Sequence, residues 1–292
     1  MSSEALDCEL ALRAAVSKAT GSGSPPKLAD AIEYAVFPGG ARVRPKLAQA
    51  VALAHGNPEP GISMAASVAI ELLHCASLVH DDLPCFDDAT LRRGKPSVHS
   101  VFGERIAVLT GDALIVAAFD RLFAATLDCQ QPQWAARTAQ WVSRGVGAPH
   151  GICAGQAWEC EPRVDLEQYH KAKTGALFIA ATCAGAAAAG ADPTDWEPLG
   201  AAIGQAYQVA DDIQDAIADA ETAGKNVGID ASLERPSAVR ELGLDGAITR
   251  LHQCVEHSLD VIPHCPGREV LLEVVQFASA RFFPKGLRKT AA

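Results

Sequence analysis

Apolar residues recur along this chain at the three-and-four spacing of a helix, and no stretch of any length alternates strictly as a half-buried strand would. The pattern predicts helices over 63–82, 104–127, 134–146, 166–190, 196–217, 246–262 and 269–283. Ser63 reads as the N-cap of the first, and Pro84 ends or disturbs it. Turn signals separate the others: Lys95-Pro96, Gln131-Pro132, Asp192-Pro193, Ala223-Gly224 and Pro266-Gly267. No repeat at a solenoid period is present. The expected architecture is therefore all-α, with residues 1–292 forming a single-domain helical bundle.

Composition sharpens that picture. Alanine is abundant and aromatic residues make up only 5%, which favours close-packed helices over sheets. With 49% hydrophobic residues in 292, the chain can bury one large core, and the flexible-looking 21–26 stretch (GSGSPP) lies too near the start to divide domains. The longest uncharged stretch, 176–191, falls short of the roughly 20 residues of a membrane span and reads as a buried helix, so no stable membrane insertion is expected. The 3–13 segment mixes acids with apolar residues, unlike a signal peptide. Nine cysteines without a CxxC pair suit reduced thiols in a cytoplasmic protein better than a disulfide framework or a zinc site.

Charge narrows the partners. A formal charge of −10 repels nucleic-acid backbones, so no nucleic acid is expected. The basic residues nevertheless cluster: Arg42, Arg44 and Lys46; Arg92, Arg93 and Lys95; and a run from Arg281 to Lys289. Positive islands on an acidic protein point to small anionic ligands, although the last run also fits an ordinary solvated face.

Two aspartate clusters carry the chemistry. Asp81, Asp82, Asp87 and Asp88 follow a long apolar helix, and Asp211, Asp212 and Asp215 lie inside an apolar segment. Asp211 and Asp215 share one helical face, where like charges repel unless cations compensate. Hard carboxylate oxygens suit Mg²⁺, which binds through a few carboxylates plus substrate phosphates. A lone acidic cluster is as readily a solvated turn; two, with Arg92-Arg93-Gly94 just after the first, are not. Arginine forks grip phosphate oxygens, and glycine lets backbone approach a ligand closely.

With these motifs the chain resembles the trans-isoprenyl diphosphate synthase family from about residue 31 to 225, and within it the bacterial members that make geranylgeranyl diphosphate. Asp81–Asp87 matches the longer DDxxxxD form of the first family motif, and Asp211–Asp215 matches the second, DDxxD. Gly155-Gln156, Lys173-Thr174-Gly175, Gln208 and Lys225 fall at further marked positions. The resemblance implies an isoprenoid-synthase bundle around a central cavity, with isopentenyl diphosphate and an allylic diphosphate (dimethylallyl, geranyl or farnesyl) condensed head to tail as its substrates. It implies a C20 product, a place in isoprenoid and carotenoid biosynthesis, three Mg²⁺ ions with substrate bound, and a homodimer.

By the same resemblance, Asp81, Asp87 and Asp211 would ligate Mg²⁺ on the allylic diphosphate, with Asp82, Asp212 and Asp215 as supporting or additional ligands. Arg92, Lys173 and Lys225 would hold that diphosphate; Arg44, His74 and Arg93 would hold isopentenyl diphosphate. Thr174, Gln208 and the Lys173 carbonyl would turn dipoles toward a carbocation, while Ala76 and Ser77 would leave the chain-elongation channel open past C15. His80 faces another direction from Asp81 and reads as structural, and Cys75 and Cys85 read as packing residues.

Two segments depart from the family pattern. Gly39-Gly40-Ala41-Arg42-Val43-Arg44-Pro45 has alanine where the family has a lysine, leaving open whether Arg42 compensates as a substrate contact. Glu234-Arg235-Pro236-Ser237-Ala238 replaces a Gly-Lys-x-Thr-Tyr segment. A farnesyl diphosphate synthase, a class I terpene cyclase and a non-catalytic synthase subunit are the alternatives; the intact second motif weighs against the last two.

Overall fold

The computed structural model describes residues 3–37, 40–163, 166–223 and 237–283; Gly39, Lys225, Glu234, Arg235 and Pro236 lie outside the described residues. The chain is all-α apart from one short hairpin among them. In order, the helices are α1 (Ser3–Ala19), α2 (Pro26–Val36), α3 (Val43–Ala54), α4 (Pro60–Asp81), α5 (Val98–Phe102), α6 (Glu104–Asp128) and α7 (Pro132–Val146). There follow α8 (Ile152–Ala157), α9 (Leu166–His170), α10 (Ala176–Ala188), α11 (Glu197–Ala223), α12 (Ala238–Asp260) and α13 (Arg268–Ser279).

Contacts divide the chain into two compact units, residues 1–143 with 180–193, and residues 144–179 with 194–292. In the first, α4 packs against α1, α2, α3 and α6. It is apolar nearly all round, the mark of a core helix. Its length and composition would also let it cross a membrane, but 78% of its apolar window is buried inside the protein. Glycine allows a close backbone approach within this unit: a Cβ on Gly185 would lie 2.4 Å from the Ala48 carbonyl of α3. In the second unit α11 packs along α12, and Tyr207 links Phe178 to Phe282 through ring contacts at 5.3 and 5.6 Å.

The structure moves several expected boundaries. Ser63 is not the N-cap of α4; the helix starts at Pro60, whose missing N–H is harmless in a first turn. Ser63 is buried, with its hydroxyl donating to the Pro60 carbonyl. The predicted 166–190 helix is broken by a π-helical turn, Lys171–Gly175. A hairpin unseen in the apolar pattern, Leu91–Arg92 paired with Lys95–Pro96, occupies the second basic island. Strands of two residues are too short to show an alternation. Gly243, at φ 70°, kinks α12 near its start, so the regular pattern is legible only from about residue 246.

Candidate active site

In the first unit, α4 delivers Asp81 at its C-terminal end, and the chain then folds back on itself. The Asp87 N–H donates to the Asp81 carbonyl at 3.0 Å, and the Asp88 N–H to Leu83 at 3.1 Å. Asp88 takes a left-handed backbone (φ 48°) to close the loop. Asp82 turns inward, 2% exposed, and its Oδ1 accepts from Nε of Arg92 at 2.9 Å and from a terminal nitrogen of the same guanidinium. Burial works against the Arg92 charge, but bonding to Asp82 and the carboxylates of Asp81 and Asp87 outweigh it and raise the pKa.

The hairpin explains the Arg-Arg-Gly order. Arg92 and Lys95 pair across the strands, and the two turn residues, Arg93 and Gly94, both have positive φ (54° and 75°). That is the requirement of a tight two-residue turn whose twist matches its strands. Tyr34 of α2 ties the hairpin down by donating to the Pro96 carbonyl at 2.7 Å. The Arg93 guanidinium rests over Gly40, where a Cβ would come within 2.8 Å of it.

Arg93 thereby joins Arg44, Arg42 and Arg92 around His74, a half-buried residue of α4. Burial foremost, and then these four guanidinium charges, push the His74 imidazole well below its ordinary pKa of 6.5. It is neutral at neutral pH, amid an excess of positive charge that an anion would offset.

The structure turns Arg42 away from a substrate-binding role. Its backbone is left-handed (φ 51°), and its guanidinium donates to Glu71 at 2.5 Å, Glu9 at 3.3 Å and the Val36 carbonyl at 3.0 Å. These bonds bind α1, α2 and α4 to the start of α3. His80 likewise faces away from the aspartates: its Nε2 lies 3.2 Å from the Val108 carbonyl, in space that a side chain at Gly111 would occupy. Because a carbonyl only accepts, Nε2 carries the proton. Ser77, half-buried, shares the Asp81 face of α4, whereas Ala76 is 1% exposed and packed into the core. Cys75 is buried, which pushes its thiol up to about 12, whereas Cys85 is exposed rather than packed as expected.

In the second unit, the π turn sets Lys173 and Thr174. A π turn inserts an extra residue into the helical ladder and re-aims side chains. Two glycines clamp it: a Cβ on Gly155 of α8 would lie 2.4 Å from the Lys173 nitrogen, and one on Gly204 of α11 would lie 2.8 Å from Gly175 Cα. Thr174 donates to Gln208 Oε1 at 2.6 Å; Gln208 donates to Asp212 Oδ1 at 3.0 Å; and Asp212 Oδ2 accepts the Ala238 N–H at 2.8 Å. Asp212 thus anchors the first turn of α12 and orients the Gln208 amide. Asp211 and Asp215 are exposed on α11.

Sequence reasoning missed Glu159, which follows α8 in a 3-10 turn. It accepts from Tyr169 at 2.6 Å, Lys173 at 2.5 Å and Gln156 at 3.3 Å. Its spacing three residues beyond Gln156, with Tyr169 four before Lys173, was the available signal.

The donor chemistry fits Mg²⁺. Both clusters offer carboxylate oxygens: Asp82 and Asp212 accept from protein donors, Asp81 is partly exposed, and Asp87, Asp211 and Asp215 are exposed. Among the described residues no three acidic, imidazole or thiol groups converge into a ready-made cage. Mg²⁺ needs none, since it keeps water and phosphate oxygens in its shell.

Residues 25–259 match the family model for polyprenyl synthetase. The chain is 53% identical to a geranylgeranyl diphosphate synthase of Cereibacter sphaeroides over 94% of its length and 95% of that protein's. It is 50% identical to a geranylgeranyl diphosphate synthase of Rhodobacter capsulatus over 92% of both chains. In fold it resembles the apo structure of an FPP/GFPP synthase from Zymomonas mobilis, with a TM-score of 0.76 and 28% identity, covering 94% of this chain and 98% of that one.

Proposed function

The chain belongs to the polyprenyl synthetase family, and on that premise we propose that it condenses isopentenyl diphosphate with allylic diphosphates, head to tail, to give chiefly the C20 geranylgeranyl diphosphate. The observation that carries this reading is the near full-length similarity to two geranylgeranyl diphosphate synthases, in a chain that keeps both aspartate motifs.

In the reaction, the allylic C–O bond breaks and its electron pair leaves with the diphosphate. The resulting cation takes the alkene electrons of isopentenyl diphosphate to form the new C–C bond, and a proton passes to the released diphosphate. Asp81, Asp87, Asp211 and Asp215 would hold Mg²⁺, which when bound supplies positive charge to the departing diphosphate. Arg92 and Lys173 hold the same diphosphate, and Lys225 belongs to this set by the family motif. Arg44 and Arg93, beside neutral His74, bind the diphosphate of isopentenyl diphosphate; the charge excess around that imidazole supports the assignment. The oxygens of Thr174 and Gln208 and the Lys173 carbonyl turn negative dipoles toward the carbocation. Asp82 contributes by holding Arg92, and Asp212 by holding Gln208.

The protein works as a cytoplasmic homodimer on this reading. Leu109, Val116, Phe123 and Leu127 leave an exposed apolar stripe along α6, at 50%, 68%, 62% and 85% exposure, which supports a second copy as its cover. Purified chain with Mg²⁺, isopentenyl diphosphate and each primer in turn tests the whole proposal. Release of inorganic diphosphate with C20 product is expected. No release by the lone protein, chiefly C15 product, or cyclic hydrocarbon from geranylgeranyl diphosphate alone would overturn it.

A further inference from the structure

We propose that Glu159 is a positioning residue that holds the Lys173 ammonium in place for the allylic diphosphate. The inference rests on the assignment of Lys173 to that diphosphate. A carboxylate beside a diphosphate site is repulsive by itself, so its presence calls for a physical reason. Here the carboxylate is fixed before it meets the lysine. Tyr169 donates to Oε1 at 2.6 Å from α9, and Gln156 donates to Oε2 at 3.3 Å from α8. Lys173 then donates to the same Oε1 that Tyr169 holds, and its ammonium lies 5.8 Å from the Tyr169 ring centroid, within reach of the ring's negative face.

Lysine loses much rotamer freedom when it is held in one geometry. An ammonium has three N–H donors and no acceptor, so it can meet a carboxylate and phosphate oxygens at once. The side chains of both residues are about one-fifth exposed (19% and 22%), so the pair is reachable by a ligand and only partly screened by water. Gly155 adds the backbone constraint, because only a residue without Cβ lets α8 lie against the Lys173 amide. Three side chains and one backbone contact thus converge on the placement of a single ammonium group. The aromatic ring and the carboxylate together define where it stands.

The test varies farnesyl diphosphate and isopentenyl diphosphate separately in steady-state assays of the full chain. Glu159→Gln keeps size and one acceptor but removes the charge. It is expected to raise KM for farnesyl diphosphate about tenfold, the scale of one charge-assisted hydrogen bond, with KM for isopentenyl diphosphate unchanged. Glu159→Asp should recover most of that loss. In a Lys173→Met background Glu159→Gln should add nothing, because residues acting through one another are not additive. Should Glu159→Gln fail to fold, Tyr169→Phe carries the test with an expected two- to threefold rise, on the order of a neutral hydrogen bond. An unchanged or tighter KM for farnesyl diphosphate, equal shifts in both constants, or full additivity with Lys173→Met overturns the inference alone. Lys173→Met without effect on farnesyl diphosphate removes the lysine's assignment and this inference with it.

Discussion

The backbone N–H of Asp87 donates to the backbone carbonyl of Asp81 at 3.0 Å, so two carboxylates six positions apart in sequence leave neighbouring points of one closed loop. That bond joins backbone atoms, which a change of the Asp81 side chain keeps. Asp81→Ala should therefore leave the melting temperature nearly unchanged while turnover falls on the order of 1000-fold, the scale of a lost electrostatic contact to a leaving group. Asp211→Ala should behave alike. Near-normal turnover with unchanged Mg²⁺ dependence in either variant would show that the cluster does not serve the metal.

Gly155→Ala probes the π turn. The new methyl would stand 2.4 Å from the Lys173 nitrogen and 2.5 Å from its Cα, both backbone atoms that cannot swing aside. A loss of about 1–3 kcal/mol in stability is expected, together with a raised KM for the allylic substrate. Chemical denaturation and steady-state kinetics check the two parts, and a variant normal in both would mean that the close approach is relieved without consequence.

Arg42 and Ala41 separate scaffold from substrate contact. Glu71 is only 3% exposed, so Arg42→Ala would strand a buried carboxylate and should cost about 3–5 kcal/mol of folding stability. Ala41 is exposed beside the hairpin-facing Gly40, and Arg42 is committed elsewhere. Ala41→Lys should consequently lower KM for isopentenyl diphosphate several-fold, by a charge-assisted contact of roughly 1.5–3 kcal/mol before solvent screening. Equal improvement for both substrates, or none, would argue against the assignment of this segment.

The His74 pKa has a sign that denaturation at varied pH can read. The folded protein keeps this imidazole neutral where the unfolded chain takes up a proton, because its pKa is held well below 6.5. Protonation therefore favours the unfolded state, and stability should fall as pH drops below about 6.5, down toward the depressed folded value. His55 and His170, lowered by burial, act in the same direction. His74→Gln should flatten part of that acid-side slope, and an unaltered slope would assign it to the other groups.

Product length tests the two small residues before Asp81. Ser77→Phe places a ring on the Asp81 face of α4, and is expected to shorten the product toward C15 with little loss of stability. Ala76→Tyr is also expected to shift product toward C15, but at a cost of about 1–3 kcal/mol, since Ala76 is 1% exposed and a full ring must displace its neighbours. Chromatography of the dephosphorylated products distinguishes the lengths. Unchanged C20 product from both variants would locate the gate deeper than this turn of α4.

Local spacing determined much of this protein by itself. The long apolar periods of α4, α6 and α11 specify helices, because the three-and-four spacing gathers those residues on a helical face while the backbone bonds within the helix. The two aspartate motifs and the basic Arg92-Arg93-Gly94 run were likewise legible, since each is a run of neighbours, although the hairpin that the run forms was not. Tertiary structure decided what distant residues do to one another. Arg42 lies in a basic run, yet packing against Glu9 and Glu71 makes it a buried strut. Asp82 and Asp212 sit within their motifs beside Asp81 and Asp211, yet partners 10 and 26 positions away take up their oxygens. Glu159 offered only its spacing from Gln156, and its bonds to Tyr169 and Lys173 exist only where α8, α9 and the π turn meet. Periodicity records which face of a helix is buried, whereas the partner of a charge depends on which helix that face comes to lie against.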